Sequence, residues 1–119
     1  MQGLEITHKE NEIEQINYFD ESALEIDFLN ETITTIEIYI RKIKEKLKEY
    51  PIEEKIELFQ TYMSKKNELT RIRSRMALHR RYKGEGLKKY LYDIEDDLYH
   101  LEYDVITFYE SIKYTSLIQ

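Results

Sequence analysis

FDESALEIDFLNETITTIEIYIRKIKEKLKEY, residues 19–50, decides the fold. Phe19, Ile26, Ile33, Ile40 and Leu47 recur every seven residues, and Leu29, Ile36, Ile43 and Tyr50 stand three behind the later ones. Alternating steps of three and four form the seam by which a long helix packs at a shallow angle against neighbours. Asp20 or Ser22 can cap the start, and Ser22 with Glu25 has capping-box spacing. Pro51 ends the helix, because a residue before proline is pushed out of helical geometry. The spacing therefore predicts a helix over 21–49, roughly 43 Å long at 1.5 Å per residue.

A second heptad occupies the last third: Leu87, Leu91, Ile94, Leu98, Leu101, Val105, Phe108 and Ile112. Gly84 and Gly86 mark the turn before it, which predicts a helix over about 87–117. Between the two, Pro51 suits the first position of a new helix. Its apolar residues split into two sets, Ile52, Ile56, Phe59 and Met63 against Leu58, Tyr62, Leu69, Ile72 and Met76, roughly 140° apart at 100° per residue. Either one helix runs to about Tyr82 with both sides apolar, or it breaks near Ser64–Asn67; we favour the unbroken helix. Ile13, Ile16 and Phe19 predict a short N-terminal helix joined to the first long one. The expected fold is all-α, one domain over 1–119. It is an antiparallel bundle of three long helices with a short N-terminal helix, open to completion by oligomerisation.

Composition bounds the function. With 119 residues, the chain can bury a real core without staples. It has no cysteine, which excludes disulfides and thiolate metal sites. Three glycines and one proline leave few places for turns, as long helices require. No apolar run approaches the roughly 18 residues of a membrane span, and no signal peptide opens the chain, so the expected location is cytoplasmic.

The net charge of −6 conceals a polarity along the chain. Residues 1–40 carry ten acids and one lysine, whereas residues 65–89 carry ten basic and two acidic groups. Within that basic segment, Lys66, Arg71, Arg73, Arg75, Arg80, Arg81 and Lys83 could contact phosphates along a nucleic acid or the acids of a protein partner. The competing reading is internal. Seventeen acids in 1–40 and 90–119 belong to neighbouring helices of a bundle and can pair with the same cations.

The last helix carries a second apolar stripe away from its seam, formed by Tyr92, Tyr99, Tyr103, Ile106, Tyr114 and Leu117. Leu24, Phe28 and Tyr39 make a weaker second face on the first long helix. Tyrosine supplies large contact area with a polar tip, so this strip has the composition of a partner interface. Self-association, cover by the N-terminal helix and a foreign protein are the possible occupants.

Asp93, Asp97, His100 and Asp104 lie on one helical stripe, and Asp97 with His100 has the i, i+3 spacing of helical di-iron ligands. Only one histidine is offered and the stripe lies about 100° from the seam, so a solvated acidic face is the better account, with no metal or cofactor expected. RSRMALHRRY, residues 73–82, resembles the arginine-to-histidine motif of the HEPN ribonucleases, small all-helical proteins that often dimerise. That resemblance covers ten residues and implies roles for Arg73, Ser74, His79 and Tyr82 in RNA cleavage. The leading expectation is a non-enzymatic interaction, adaptor or inhibitor protein. A nucleic-acid-binding regulator using 65–89 comes second, and a HEPN-like ribonuclease third.

Overall fold

The computed structural model describes the backbone of residues 2–114 and the side chains of residues 21–114. Its long helices are α1 (Gln2–Leu47), α2 (Ile52–Ala77) and α3 (Gly84–Ile112), with a 3-10 turn at His79–Arg81 between the last two. Among the described residues there is no strand. The fold is the all-α bundle that the heptads predict.

Cross-helix contacts fix the directions. Tyr39 meets Tyr109 edge-on at 5.6 Å, and the Tyr50 hydroxyl donates to the Ile112 carbonyl at 2.6 Å, so positions ascend together on α1 and α3. Lys65 reaches Asp104 and Arg75 reaches Asp97, so α2 descends as α3 ascends. α1 and α3 are thus parallel, and α2 runs antiparallel to both.

The core is the two heptads plus one stripe of α2. Leu29, Ile33, Ile36, Ile40, Ile43 and Leu47 of α1 meet Leu91, Ile94, Leu98, Leu101, Val105 and Ile112 of α3, all buried. α2 contributes Tyr62, Leu69, Ile72 and Met76, with Leu58 at the edge. α2 runs unbroken through Ser64–Asn67, so both apolar sets sit on one helix and only one of them is core. Tyr50, just beyond α1, is 5% exposed, and its hydroxyl satisfies a carbonyl in the last turn of α3 that has no intrahelical partner.

Several helix boundaries differ from the sequence expectation, among them the end of α1 at Leu47 rather than 49. A separate short N-terminal helix is not shown, because α1 is a single helix from Gln2; the packing expected of Ile13, Ile16 and Phe19 lies outside the described side chains. α2 stops at Ala77 rather than Tyr82. The Leu78 amide reaches only three residues back, to the Arg75 carbonyl at 3.0 Å, and Tyr82 is extended at φ −113 and ψ 148. α3 begins at Gly84 rather than 87 and ends at Ile112; Leu117 lies outside the described residues. The early start uses Gly84 at φ +58, a left-handed conformation that a Cβ disfavours by about 1–2 kcal/mol.

Candidate functional site

The tyrosine strip of α3 has no cover among the described residues. Tyr92, Tyr99, Tyr103 and Tyr114 are 62–68% exposed, and Ile106 is half-buried beside them. On α1, Leu24 is 67% and Phe28 53% exposed, whereas Tyr39 is half-buried against Tyr109.

The two strips open on one face. On α1, Glu37 marks the side turned to α2 and Glu25 the side turned to α3. Heptad phase puts Phe28 just beyond the α3 side and Leu24 opposite the core. On α3, Asp97 and Asp104 mark the α2 side, and Glu95 and Tyr109 mark the α1 side. By the same phase, Tyr92, Tyr99 and Ile106 come directly after the α1 side, and Tyr103 after those. Leu24, Phe28, Tyr92, Tyr99 and Tyr103 thus flank the α1/α3 groove on the face opposite α2. Exposing over half of the roughly 150–250 Å² an aromatic side chain can bury, they offer on the order of 500–700 Å² together.

Glu25 and Glu95 meet in that groove, among Glu21, Ser22, Lys88 and Tyr92. Burial, a side-chain hydrogen bond that the protonated carboxyl donates to Glu95 and the charge of Glu95 push the Glu25 carboxyl from 4.5 up to about 7. A carboxyl that holds its proton near neutrality can donate to its neighbour, which is how two acids share a site.

The basic segment divides. Arg73 pairs with Glu37 of α1, and Arg75 with Asp97 of α3. Lys65 lies 3.4 Å from Asp104 and 3.6 Å from Glu68. These three cations link α2 to the acidic helices on either side. Lys66, Arg71, Arg80, Arg81, Lys83 and Lys89 are exposed and pair with no acid among the described residues. Four of the six surround the α2–α3 connection. There Tyr82 stacks on Tyr90 at 4.2 Å, and the Tyr90 hydroxyl donates to the Arg75 carbonyl at 2.6 Å.

The break at Ala77 changes the placing of Arg73 and His79. An uninterrupted helix would separate them by about 120°. In the structure both line one open groove with Asn30, Thr34 and Glu37, of about 420 Å³. Glu37 holds the Arg73 guanidinium, and His79 Nδ1 is 2.7 Å from the Met76 carbonyl. Ser74 bonds back to the Thr70 carbonyl of its own helix, and Tyr82 stacks elsewhere. The motif residues do not converge as a set.

The stripe of Asp93, Asp97, His100 and Asp104 faces solvent and α2, with two of its acids already paired to Arg75 and Lys65. His100 leans on Asp96 at 3.6 Å and on the Tyr99 ring. Among the described residues, no group of three or more such side chains is placed to hold a metal ion, and no helix is long and apolar enough to cross a membrane.

One surface was missed as a site. Ile52, Ile56 and Phe59, at 76%, 61% and 46% exposure, form an aliphatic strip on the first turns of α2. Its helical period was legible in the sequence; that no other helix covers it was not. No protein-family model matches the chain, and no curated protein and no solved structure is detectably similar to it.

Proposed function

We propose that the protein is a non-enzymatic interaction module that docks a protein partner on its α1/α3 face. The observation that carries this reading is the exposure of Tyr92, Tyr99 and Tyr103 in one strip beside Leu24 and Phe28. Isolated exposed apolar residues are ordinary on a surface, but a contiguous patch of several hundred Å² rimmed by charge marks a binding site. Tyrosine is also the side chain that tolerates water before docking and contributes large area afterwards. The core needs none of these residues, because both heptad seams are filled without them.

The reading is tested by placing a photo-crosslinking phenylalanine analogue at Tyr99, at Tyr103 and, as a control, at Glu57 on the far side of α2, in cells that make the protein. The strip positions should both yield the same defined protein adduct, and the control none. No adduct from either strip position would overturn the reading.

A second reading rests on a separate observation, the six cations that pair with no acid among the described residues, together with the Tyr82–Tyr90 stack. Phosphates bind such a cluster, and an exposed ring can stack a base. Anisotropy of labelled single-stranded RNA and duplex DNA should then show affinity falling steeply with salt, and loss on Arg80→Glu with Arg81→Glu. Absence of binding at low salt would assign these cations to an acidic protein surface.

A further inference from the structure

We propose that the occupant of the α1/α3 face is a second copy of this chain, packed antiparallel about a two-fold axis that passes near Tyr103 and Thr35. This rests on the interaction reading above and names its partner. Three observations support it: the area, the distribution of apolar residues and the distribution of charge.

A stable interface buries about 800 Å² on each partner. The exposed aromatic and aliphatic side chains of this face offer on the order of 500–700 Å², and the polar rim around any such patch adds the remainder. A face of this size fits a matching helical face better than a short peptide.

The apolar residues reach both sides of that axis. From the Tyr39–Tyr109 contact, α3 positions lie about 70 beyond their α1 neighbours, which sets Tyr103 level with the middle of the exposed stretch of α1. By that offset Leu24 and Tyr92 lie at one end, Phe28 is level with Tyr99, Tyr103 stands at the middle, and Ile38, 43% exposed, lies on the other side of Thr35. A two-fold axis through the centre brings like residues together there and exchanges the two ends.

The charges are graded along the same direction. The end holding Leu24 carries Glu21, Glu25, Glu31, Glu95 and Asp96, with Lys88 and Lys89 against them. The other end is balanced, with Lys42, Lys46 and Lys113 against Glu45, Glu49 and Glu110. Lys42 lies over the Tyr39 ring at 4.9 Å, and Lys113 over the Tyr114 ring at 4.7 Å, so both ammonium groups sit at the rim of the face. A parallel pairing sets one acid-rich end on another, which like charges oppose. An antiparallel pairing sets each acid-rich end over the partner's balanced end, where Lys42 stands at the rim. Helix α1, unbroken from Gln2 to Leu47, offers no turn at which its N-terminal segment could fold back over the centre of the strip.

The test measures mass and then orientation. Sedimentation equilibrium of the purified chain should give twice the 14.6 kDa chain mass, and Tyr99→Glu with Tyr103→Glu should halve it while leaving the circular dichroism unchanged. Should that pair disturb the fold, Tyr99→Ser with Tyr103→Ser makes the same measurement with neutral side chains. For orientation, the absence of native cysteine allows a single spin label through Thr35→Cys or Glu21→Cys. Residue 21 stands 14 positions from residue 35, so at 1.5 Å per residue the two labels at 21 should lie about 42 Å apart along the helix direction, whereas those at 35 lie close together.

A dimer with that long and short pair of distances supports the proposal. A dimer in which labels at 21 are also close overturns the antiparallel arrangement. A monomer at every concentration overturns the second copy as occupant. In that case, a foreign adduct at Tyr99 and Tyr103 would leave the interaction reading standing, and the lack of any adduct would remove both.

Discussion

Helix α3 presents two faces of nearly equal length built from different side chains. Its inward face is aliphatic: Leu91, Ile94, Leu98, Leu101, Val105 and Ile112 are 0–3% exposed. Its outward face is aromatic, and Tyr92, Tyr99, Tyr103 and Tyr114 keep about two thirds of their surface in water. Both repeat at helical spacing, so periodicity alone would score either as a core. Composition separates them: branched aliphatics interdigitate at crystal-like density, whereas a tyrosine hydroxyl needs a partner once buried. Tyr50 shows what burial of that hydroxyl demands, a 2.6 Å bond to the Ile112 carbonyl.

The largest expected effect breaks the inward face. Leu98→Ala removes a side chain that is 1% exposed and should lower stability by about 2–5 kcal/mol, the range for buried leucine truncations. Tyr99→Ala, one residue along, should change the stability of the isolated protomer by no more than about 0.5 kcal/mol. Urea denaturation of dilute protein checks both. A loss of several kcal/mol at Tyr99 in monomeric protein would mean that the strip is covered within the chain, and the two faces would cease to differ in kind.

A smaller effect sharpens the contrast between buried and exposed tyrosines. Tyr50→Phe keeps the ring and removes the hydroxyl, leaving the Ile112 carbonyl without its donor at the end of α3. The loss should be about 1–3 kcal/mol, the penalty for an unsatisfied buried acceptor. Tyr103→Phe should cost nothing measurable. Equal effects at both positions would show that the hydroxyl bond is not what anchors the end of α3 to α1.

Much of this architecture was legible in the sequence. Two uninterrupted heptads named all twelve α1 and α3 core residues that fill the bundle, because a helix against neighbours must repeat its apolar side every three to four residues. α2 was ambiguous for a physical reason. Its two apolar stripes are alike in period and content, and only the position of its neighbours decides that Tyr62, Leu69, Ile72 and Met76 go inward while Ile52, Ile56 and Phe59 stay out. The end at Ala77 was hidden because nothing from Leu78 to Tyr82 is a helix breaker; the tight turn is set by Gly84 downstream and by the Tyr82–Tyr90 stack. Charge polarity announced the pairing of α2 with its neighbours, but not which of the cations would pair. Arg73, Arg75 and Lys65 do so from the side of α2 that meets the neighbouring helices, while Arg71, Arg80 and Arg81 pair with no acid among the described residues.

The smallest expected effect concerns the acid pair at the upper end of the docking face. Glu25 carries its proton to about 7 in the fold, against 4.5 for an unperturbed glutamate, so between those values the native state binds more protons than the unfolded chain. Stability then falls as pH rises through that window, the reverse of the usual behaviour of salt-bridged carboxylates. The surroundings of Glu25 set the sense: burial and then Glu95 on α3 disfavour the charged form, while Glu21 on its own helix and Lys88 of α3 line the same groove. Glu25→Gln keeps a donor for Glu95 and removes the titration, so it should flatten the fall between pH 4.5 and 7 and leave the variant the more stable protein above pH 7. Urea midpoints at pH 5, 6 and 7.5 would show it. A wild-type midpoint that rises across that interval while the glutamine variant stays level would mean that Glu25 is ionised and paired. The acid-rich end of the face would then carry one more charge towards the lysines of an antiparallel partner than the shared proton allows.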